Sequence, residues 1–315
     1  MALSICCALG LGVAAPSAAT AHRHHDETRR PIALGVFTPN SPQASEIRAY
    51  TKLTGARPAI VMWYSEFDTP LFTAGQLQDI RRLQATPMIS WRPVTNDHEA
   101  VRFTSIAAGD VDPYLRAQAA KARAAKRPIL VRFAYEMNLA GQDYGSAVTG
   151  ETAADFVAAW RHVVAVFRQA KATNVRWVWS PNTDCAGHCP FTSYWPGNSY
   201  VDWLALDGYN FASAHNAAWV SLQYVFRTSY DTITKLSDKP LMIAETASAP
   251  TPGNKAHWIR RGFRTTIPTK FPRVRAVVWF DQDKETDWRV NSSKKSLRAW
   301  RHVVRLKRYQ GRLYD

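Results

Sequence analysis

One run of residues near the middle of the chain reads Ile129-Leu130-Val131-Arg132-Phe133-Ala134-Tyr135, and an acidic residue, Glu136, follows it directly. The run is apolar at nearly every position, whereas a half-exposed strand is apolar at every second position. Continuous apolar runs rich in β-branched and aromatic residues are typical of parallel strands that are covered on both faces. The run therefore predicts a buried parallel strand that ends at a carboxylate.

Seven further runs of the same kind occur along the chain. With the first run included, the predicted strands are Ile32–Phe37, Ala59–Tyr64, Met88–Trp91, Ile129–Tyr135, Val175–Ser180, Trp203–Leu206, Leu241–Ala244 and Ala276–Phe280. Eight strand–helix units over about 270 residues match the size of a (β/α)8 barrel. A doubly wound sheet is the alternative, but no glycine-rich phosphate loop follows the first strand. We therefore expect a single (β/α)8 TIM barrel.

The segments between these runs carry helix signals. Thr73 with Gln76, and Thr152 with Asp155, have the spacing of a capping box, which starts a helix. After the second pair, apolar residues repeat at helical spacing, at Phe156, Trp160, Val163, Val164 and Phe167. Such a stripe packs one face of a helix against a sheet. This pattern indicates helices that cover the outside of the barrel.

The N-terminus has the composition of an export signal. Leu3 to Ala15 is uncharged and mostly apolar, and Ala19-Thr20-Ala21 resembles a cleavage site. We expect a signal peptide at 1–21, a flexible segment at 22–30 and the catalytic barrel at 31–315, in a secreted protein. The alternative is a disordered apolar stub, because no Lys or Arg precedes the apolar run.

Cysteine usage agrees with export. Cys6 and Cys7 lie in the predicted signal, and Cys185 and Cys189 are the two cysteines of the mature chain. We expect a disulfide between them, since a zinc site would need two further ligands and only His188 is close. The sequence indicates no metal or organic cofactor.

The chain is basic, with 40 Lys and Arg against 25 Asp and Glu and a net charge of +15. Cations crowd the last helix and the tail, at Lys294, Lys295, Arg298, Arg301, Arg305, Lys307, Arg308 and Arg312. A solvated basic helix is the simplest interpretation, and attachment to an anionic cell-wall polymer is the alternative. We expect no nucleic-acid partner, because no recognition motif accompanies the charge, no membrane partner, and a monomer.

Acidic residues follow five of the predicted strands, namely Glu66, Glu136, Asp207, Glu245 and Asp281. In a barrel the carboxyl ends of the strands form the active-site face. Aromatic residues accompany these acids, at Trp63, Tyr64, Trp91, Tyr135, Trp179, Trp203, Tyr209 and Trp279. Carboxylates among aromatic platforms suit glycosidic bond cleavage, which needs one proton donor and one carboxylate beside the anomeric carbon. Any single acid of this set could instead cap a helix.

Five segments in order resemble glycoside hydrolase family 26, the β-mannanase family. They are Arg132–Asn138, Trp177–Asn182, the sixth-strand region (Trp195–Asn198, Tyr200–Trp203 and Asp207–Asn210), Lys239–Thr246 and Ala276–Asp281. The resemblance implies that Glu136 is the acid/base at the end of strand four and that Glu245 is the nucleophile at the end of strand seven. It implies retention of anomeric configuration, for which the carboxyl groups stand about 5–5.5 Å apart.

The resemblance also implies supporting residues around the polysaccharide substrate. Tyr209 is expected to donate a hydrogen bond to Glu245, and Trp279 to stack under the sugar. Strand alternation independently puts Arg132 and Glu136 on one face, so we expect Arg132 to lie below Glu136 inside the barrel. The expected substrate-binding residues are Tyr135, Trp179, Asp207, Tyr209, Trp279, Trp91, Asn138 and Arg132.

Two features of the family are absent. Tyr135 stands where the family has a histidine before the acid/base, and Leu139-Ala140-Gly141-Gln142-Asp143 contains no tryptophan where the family has one. Losing an indole removes a stacking surface, and phenol differs from imidazole in its hydrogen-bonding capacity. An endo-β-1,4-mannanase is the first expectation. A β-glucanase, a xylanase, a transglycosylase or a non-catalytic carbohydrate-binding barrel are the alternatives.

Overall fold

A computed structural model describes residues 31–183 and 190–314. Its eight parallel strands pair in chain order, and the eighth pairs with the first to close a barrel. The strands are β1 (Ala33–Phe37), β2 (Ile60–Glu66), β3 (Thr86–Arg92), β4 (Ile129–Phe133), β5 (Val175–Trp179), β6 (Trp203–Asn210), β7 (Leu241–Ser248) and β8 (Val274–Phe280). The predicted single (β/α)8 barrel is confirmed, and each predicted run overlaps one of these strands.

Helices surround the barrel. Among the described residues the α-helices are α1 (Ala44–Thr54), α2 (Ala74–Arg82), α3 (Phe103–Ala108), α4 (Asp112–Ala125), α5 (Ser146–Thr149), α6 (Ala153–Gln169), α7 (Leu222–Leu236), α8 (Lys255–Arg261), α9 (Ile267–Lys270) and α10 (Lys294–Val304). Short 3₁₀ turns lie at Thr192–Tyr194, Asn198–Tyr200, Ala212–His215 and Lys307–Tyr309, and a π-helical turn, Gly262–Thr266, joins α8 to α9.

The start of α6 shows how the sequence places a helix on the barrel. Thr152 caps it and exchanges hydrogen bonds with Asp155 in a complete capping box, and Thr73 with Gln76 does the same for α2. The predicted apolar stripe of α6, from Phe156 to Phe167, is buried. Both predicted capping boxes are therefore confirmed, and the stripe packs on the outward faces of the strands, as at Phe167 against Trp177 of β5.

Several predictions concern residues beyond the described ranges. The signal peptide at 1–21, the flexible segment at 22–30 and the disulfide between Cys185 and Cys189 lie outside those residues and stay predictions. Within the described part of the chain, no helix is both long and apolar enough to cross a bilayer. The same part contains no group of three His, Cys, Asp or Glu side chains arranged to hold a metal ion.

Candidate active site

A cleft of about 580 Å³ opens at the carboxyl ends of the strands. Its volume lies within the range of small-ligand sites, about 300–1,000 Å³. Glu136 and Glu245 both line it, as do Tyr135 and Tyr209. The other lining residues are Phe37, Tyr64, Glu66, Arg92, His98, Leu139, Gln142, Asn182, Phe211, Phe280, Gln282, Lys284, Glu285 and Trp288. The structure thus brings both predicted catalytic glutamates into one cleft.

Glu245 lies on β7 and is almost fully buried, with 4% of its surface exposed. Its carboxylate accepts hydrogen bonds from Tyr64 Oη at 2.9 Å, Tyr209 Oη at 2.6 Å and Arg132 Nη1 at 2.7 Å. Burial, followed by the negative charge of Glu245, raises the pKa of both tyrosines well above the usual value, so both remain donors. Three donors, one of them the Arg132 cation, therefore stabilise the negative charge of Glu245.

The hydrogen bond from Tyr209 is the one that the sequence resemblance implies. The bond from Tyr64, on β2, was not predicted, although Tyr64 belongs to the aromatic residues at strand ends.

A fully buried ionic network lies below the cleft. Arg132 Nη2 is paired with Asp207 Oδ2, and Asp207 Oδ1 accepts from Ser180 Oγ at 3.0 Å. Arg132 Nη1 also donates to Ser90 Oγ at 2.9 Å. The Arg132 guanidinium stacks on the Tyr135 ring, 4.7 Å from its centroid. One cation thus bridges two carboxylates, Asp207 and Glu245, which would otherwise repel each other in a buried site.

Arg132 and Asp207, which were predicted to bind substrate, are both fully buried and do not line the cleft. Arg132 lies inside the barrel as expected, but its bonds hold Glu245 and Asp207 rather than Glu136. These two residues support the cleft from beneath.

Glu136 follows β4 on a left-handed stretch of backbone. Ala134 has φ = 42° and Glu136 has φ = 54°, a region that costs a non-glycine residue about 1–2 kcal/mol. Neighbouring strands hold this turn, since Ala134 N–H donates to the Trp91 carbonyl and Glu136 N–H to the Ser180 carbonyl, at 2.9 and 2.7 Å. The turn directs the Glu136 side chain into the cleft.

Two amides hold the Glu136 carboxyl group. Asn182 Nδ2 donates to Oε1 at 2.6 Å and Gln142 Nε2 donates to Oε2 at 2.8 Å. Burial and then the charge of Glu245 raise the pKa of Glu136 to about 7, against the opposing effect of the amide from Asn182. Glu136 can therefore carry a proton near neutral pH, while the carboxyl group of Glu245 accepts three hydrogen bonds, one of them from the Arg132 cation.

Asn138 holds the backbone of Asn182, one of the two amides that bind Glu136. Its side chain is buried, donates to the Asn182 carbonyl and accepts from the Asn182 N–H, each at 2.9 Å. Asn138 was predicted to bind substrate; in the structure it contacts Asn182, which contacts Glu136, and it does not line the cleft.

The tryptophans predicted to bind substrate do not reach the cleft. Trp91, Trp179 and Trp279 are fully buried outside the barrel. Trp279 packs against Trp258 and Trp300 of the surrounding helices. Successive strand residues point to opposite faces, so the residue after each tryptophan points inward instead. Those following residues are Arg92, Ser180 and Phe280, of which Arg92 and Phe280 line the cleft.

Trp288, in the loop after β8, is the tryptophan that lines the cleft. It packs against Tyr209 with ring centroids 5.2 Å apart, and its Nε1 donates to Glu285 at 2.9 Å. The strand pattern of the sequence does not extend to this loop, so it could not identify Trp288 as a residue of the cleft.

The two remaining strand-end acids have other partners. Glu66 lines the cleft edge and pairs with Arg92 at 3.2 Å, and Arg92 also pairs with Asp143. Asp281 is buried and accepts from the Val290 N–H at 2.6 Å, which closes the loop after β8. Asp281 thus stabilises the loop after β8, which is the structural alternative that the sequence left open for any single acid at a strand end.

A closed (β/α)8 barrel with a protonatable glutamate and a stabilised carboxylate in one cleft at its carboxyl face defines a carboxylate-dependent glycoside hydrolase. Comparison with protein families agrees with this class and narrows it. The model of glycosyl hydrolase family 26 matches residues 46–268, and the chain belongs to this family.

Endoglucanase H of Acetivibrio thermocellus is 33% identical to this chain over 284 residues. The match covers 87% of the chain but 30% of the relative, so the chain spans about a third of that protein's length.

Two solved structures share the fold at low identity. A β-mannanase of family 26 from Bacteroides ovatus has a TM-score of 0.61 at 13% identity and covers 93% of both chains. The Bacillus subtilis mannanase BCman has a TM-score of 0.60 at 17% identity and covers 87% of both. The family resemblance seen in the sequence is confirmed, and with it the assignment as a glycoside hydrolase.

Proposed function

We propose that the protein is a retaining glycoside hydrolase in which Glu245 is the nucleophile and Glu136 is the acid/base. The observation that carries the proposal is the contrast between the two carboxyl groups of one cleft. Three donors, one of them the Arg132 cation, bind the carboxylate of Glu245, and the pKa of Glu136 is raised to about 7.

The reaction proceeds in two steps. In the first, a Glu245 oxygen attacks the anomeric carbon while Glu136 gives its proton to the departing glycosidic oxygen. Esterification removes the negative charge of Glu245, which lowers the pKa of Glu136. In the second step Glu136 takes a proton from water, the water oxygen attacks the same carbon, and Glu245 leaves as a carboxylate. The 5–5.5 Å carboxyl separation that this chemistry needs stays a prediction.

Removing either tyrosine donor should slow the reaction. A hydrogen bond to a charged group contributes about 1.5–3 kcal/mol, so Tyr64→Phe and Tyr209→Phe should each lower kcat/KM about 10- to 150-fold. Steady-state kinetics measures this, with Tyr144→Phe as the control, since Tyr144 donates to a backbone carbonyl near the site. A Tyr64→Phe enzyme with wild-type kinetics would contradict the role given to Tyr64.

The pH profile should report Glu136. Because Glu136 must be protonated to act as the acid, kcat/KM should fall as pH rises through about 7. Asn182→Ala removes a donor that favours the ionised form, so the pKa of Glu136 should rise and the alkaline limb should move to higher pH. Profiles of both enzymes on an unactivated oligosaccharide test this. If the alkaline limb of the Asn182→Ala profile stayed in place or moved to lower pH, the role given to Asn182 would be contradicted.

For the substrate we propose a β-linked glucan, cleaved internally. Two observations support it. The relative that is 33% identical is named an endoglucanase, and the residues that the mannanase family presents beside the acid/base are replaced here, at Tyr135 and in the segment 139–143. Mannan is the second candidate, supported by the mannanases that share the fold.

A reducing-sugar assay over mixed-linkage glucan, cellulose, galactomannan and xylan separates these candidates, with Glu245→Gln as the blank. We expect the highest kcat/KM on a glucan, at least about tenfold above mannan, which corresponds to about 1.4 kcal/mol of transition-state binding. A higher value on mannan would reverse the substrate assignment. Absence of turnover on all four would favour a carbohydrate-binding barrel.

We also propose that the protein is exported. A polymeric substrate lies outside the cell, and the segment 1–21 has the pattern of a signal peptide. Expression of the full chain in a secreting host, followed by N-terminal sequencing, should give a mature protein that starts at His22. Retention of residues 1–21 on the secreted or intracellular product would contradict the proposal.

A further inference from the structure

The positive charge of this protein is concentrated in two segments of the chain. Residues 246–280 contain seven Lys or Arg and residues 288–314 contain nine, and neither segment contains an Asp or Glu. The rest of the chain has 24 Lys or Arg against 25 Asp or Glu, so it is close to neutral. The two segments together carry a charge of +16 and the rest of the chain −1, which gives the net charge of +15.

The fold places the two segments side by side. Helix α8 lies in the first, α10 lies in the second, and the two helices pack against each other. Twelve of the sixteen cationic side chains are exposed. Like charges on one surface repel each other, and an anionic partner relieves that repulsion.

A groove of about 540 Å³ runs between α8 and α10. Arg260 borders it from α8, and Lys295, Arg298 and His302 border it from α10. Ala256 and Ala299 also line it, and both are buried, so small side chains leave the groove open. Among the described residues, no carboxylate pairs with Arg260, Lys295 or Arg298.

We propose that this basic face, made of α8 and α10 with the groove between them, binds an anionic polysaccharide that carries carboxylates along its chain. The guanidinium groups of Arg260 and Arg298 can each bind a carboxylate through two parallel hydrogen bonds. The groove and the catalytic cleft share no lining residue. The enzyme can therefore bind the charged polymer at the basic face while it hydrolyses a neutral glycan in the cleft.

The surface of this face favours a polysaccharide over other polyanions. Base stacking on single-stranded nucleic acid needs exposed aromatic rings, and an interfacial helix inserts exposed apolar side chains into a membrane. In the described ranges the exposed large apolar side chains are Val148 and Tyr224, and neither lies in α8, in α10 or in the groove between them.

The test measures binding to polygalacturonate by affinity electrophoresis in 50 mM salt. A face variant, Arg260→Gln/Lys295→Gln/Arg298→Gln, is compared with a control variant of equal charge, Arg81→Gln/Lys121→Gln/Arg127→Gln. The control residues line a different groove, beside α2 and α4. We expect the face variant to bind about tenfold or more weakly, as three lost surface charge contacts would require, and the control to change less than about twofold.

Salt and competing polyanions complete the test. Binding should be lost at about 1 M salt, where the Debye length is about 3 Å. The proposal would be overturned if both variants lost binding equally, if the wild type did not bind, or if binding survived high salt. Tighter binding to DNA or to anionic lipid vesicles than to polygalacturonate would also overturn it. Because the readout is binding and not turnover, the result does not depend on the proposed catalytic function. Activity of the face variant on a neutral oligosaccharide should equal that of the wild type and shows that it is folded.

Discussion

Glu245→Gln should lower kcat by at least about 10³-fold on any substrate that the wild type cleaves, since a neutral amide cannot attack the anomeric carbon. The structure adds a second reason for the loss. Glu245 accepts from Tyr64, Tyr209 and Arg132, whereas a glutamine offers one acceptor oxygen and turns an NH₂ group toward these donors. Assays on a polysaccharide and on an aryl glycoside should both show the loss.

Glu136→Gln should behave differently on the two substrates, which separates the two roles. An aryl leaving group departs without a proton, so this variant should still form the glycosyl-enzyme from an aryl glycoside, with a burst of phenol and slow turnover. On a polysaccharide the loss should be about 10²–10⁴-fold. Equal losses on both substrates would contradict the assignment of Glu136 as the acid/base.

Small anions provide the matching control. Azide added to Glu136→Ala attacks the glycosyl-enzyme and should give a product of retained configuration. Azide added to Glu245→Ala occupies the place of the missing carboxylate and should give the inverted product. The same product configuration from both variants would show that the two roles are wrongly assigned.

The sequence predicted those features of the fold and the site that depend on the local pattern of residues alone. Burial on both faces makes a parallel strand apolar throughout, so all eight strands and hence the barrel could be located. The position of a carboxylate directly after a strand placed Glu136 and Glu245 on the carboxyl face, and the structure brings them into one cleft.

The aromatic residues show where this reasoning fails. A tryptophan at a strand end points into the cleft or into the helix layer depending on one residue of register, and composition does not fix that register. Trp91, Trp179 and Trp279 all point outward. Trp288 enters the cleft from a loop, and Tyr64 enters from β2, which pairs with neither β4 nor β7. Only the assembled barrel therefore shows that they contact the site.

Arg132→Met should be the most destabilising change at the site. The cation bridges Asp207 and Glu245 with no exposure to solvent, and breaking a buried ion pair by removing one partner costs about 3–5 kcal/mol. For a domain of this size such a loss corresponds to a fall in Tm of about 10 °C. Thermal denaturation followed by circular dichroism measures it, and kcat/KM should fall as well, since Glu245 loses a donor.

A double-mutant cycle distinguishes loss of the ion pair from loss of packing. Asp207→Asn alone leaves the pair between Arg132 and Glu245 in place, so it should destabilise less than Arg132→Met. In Arg132→Met/Asp207→Asn one of the two uncompensated charges is gone, so the double variant should be more stable than Arg132→Met by about 1 kcal/mol or more. If the two single effects merely add, Asp207 and Arg132 are not energetically coupled. In that case packing, and not the ion pair, stabilises the residues beneath the cleft. The hydrogen bonds from Tyr64 and Tyr209 would then be the main interactions that stabilise the negative charge of Glu245.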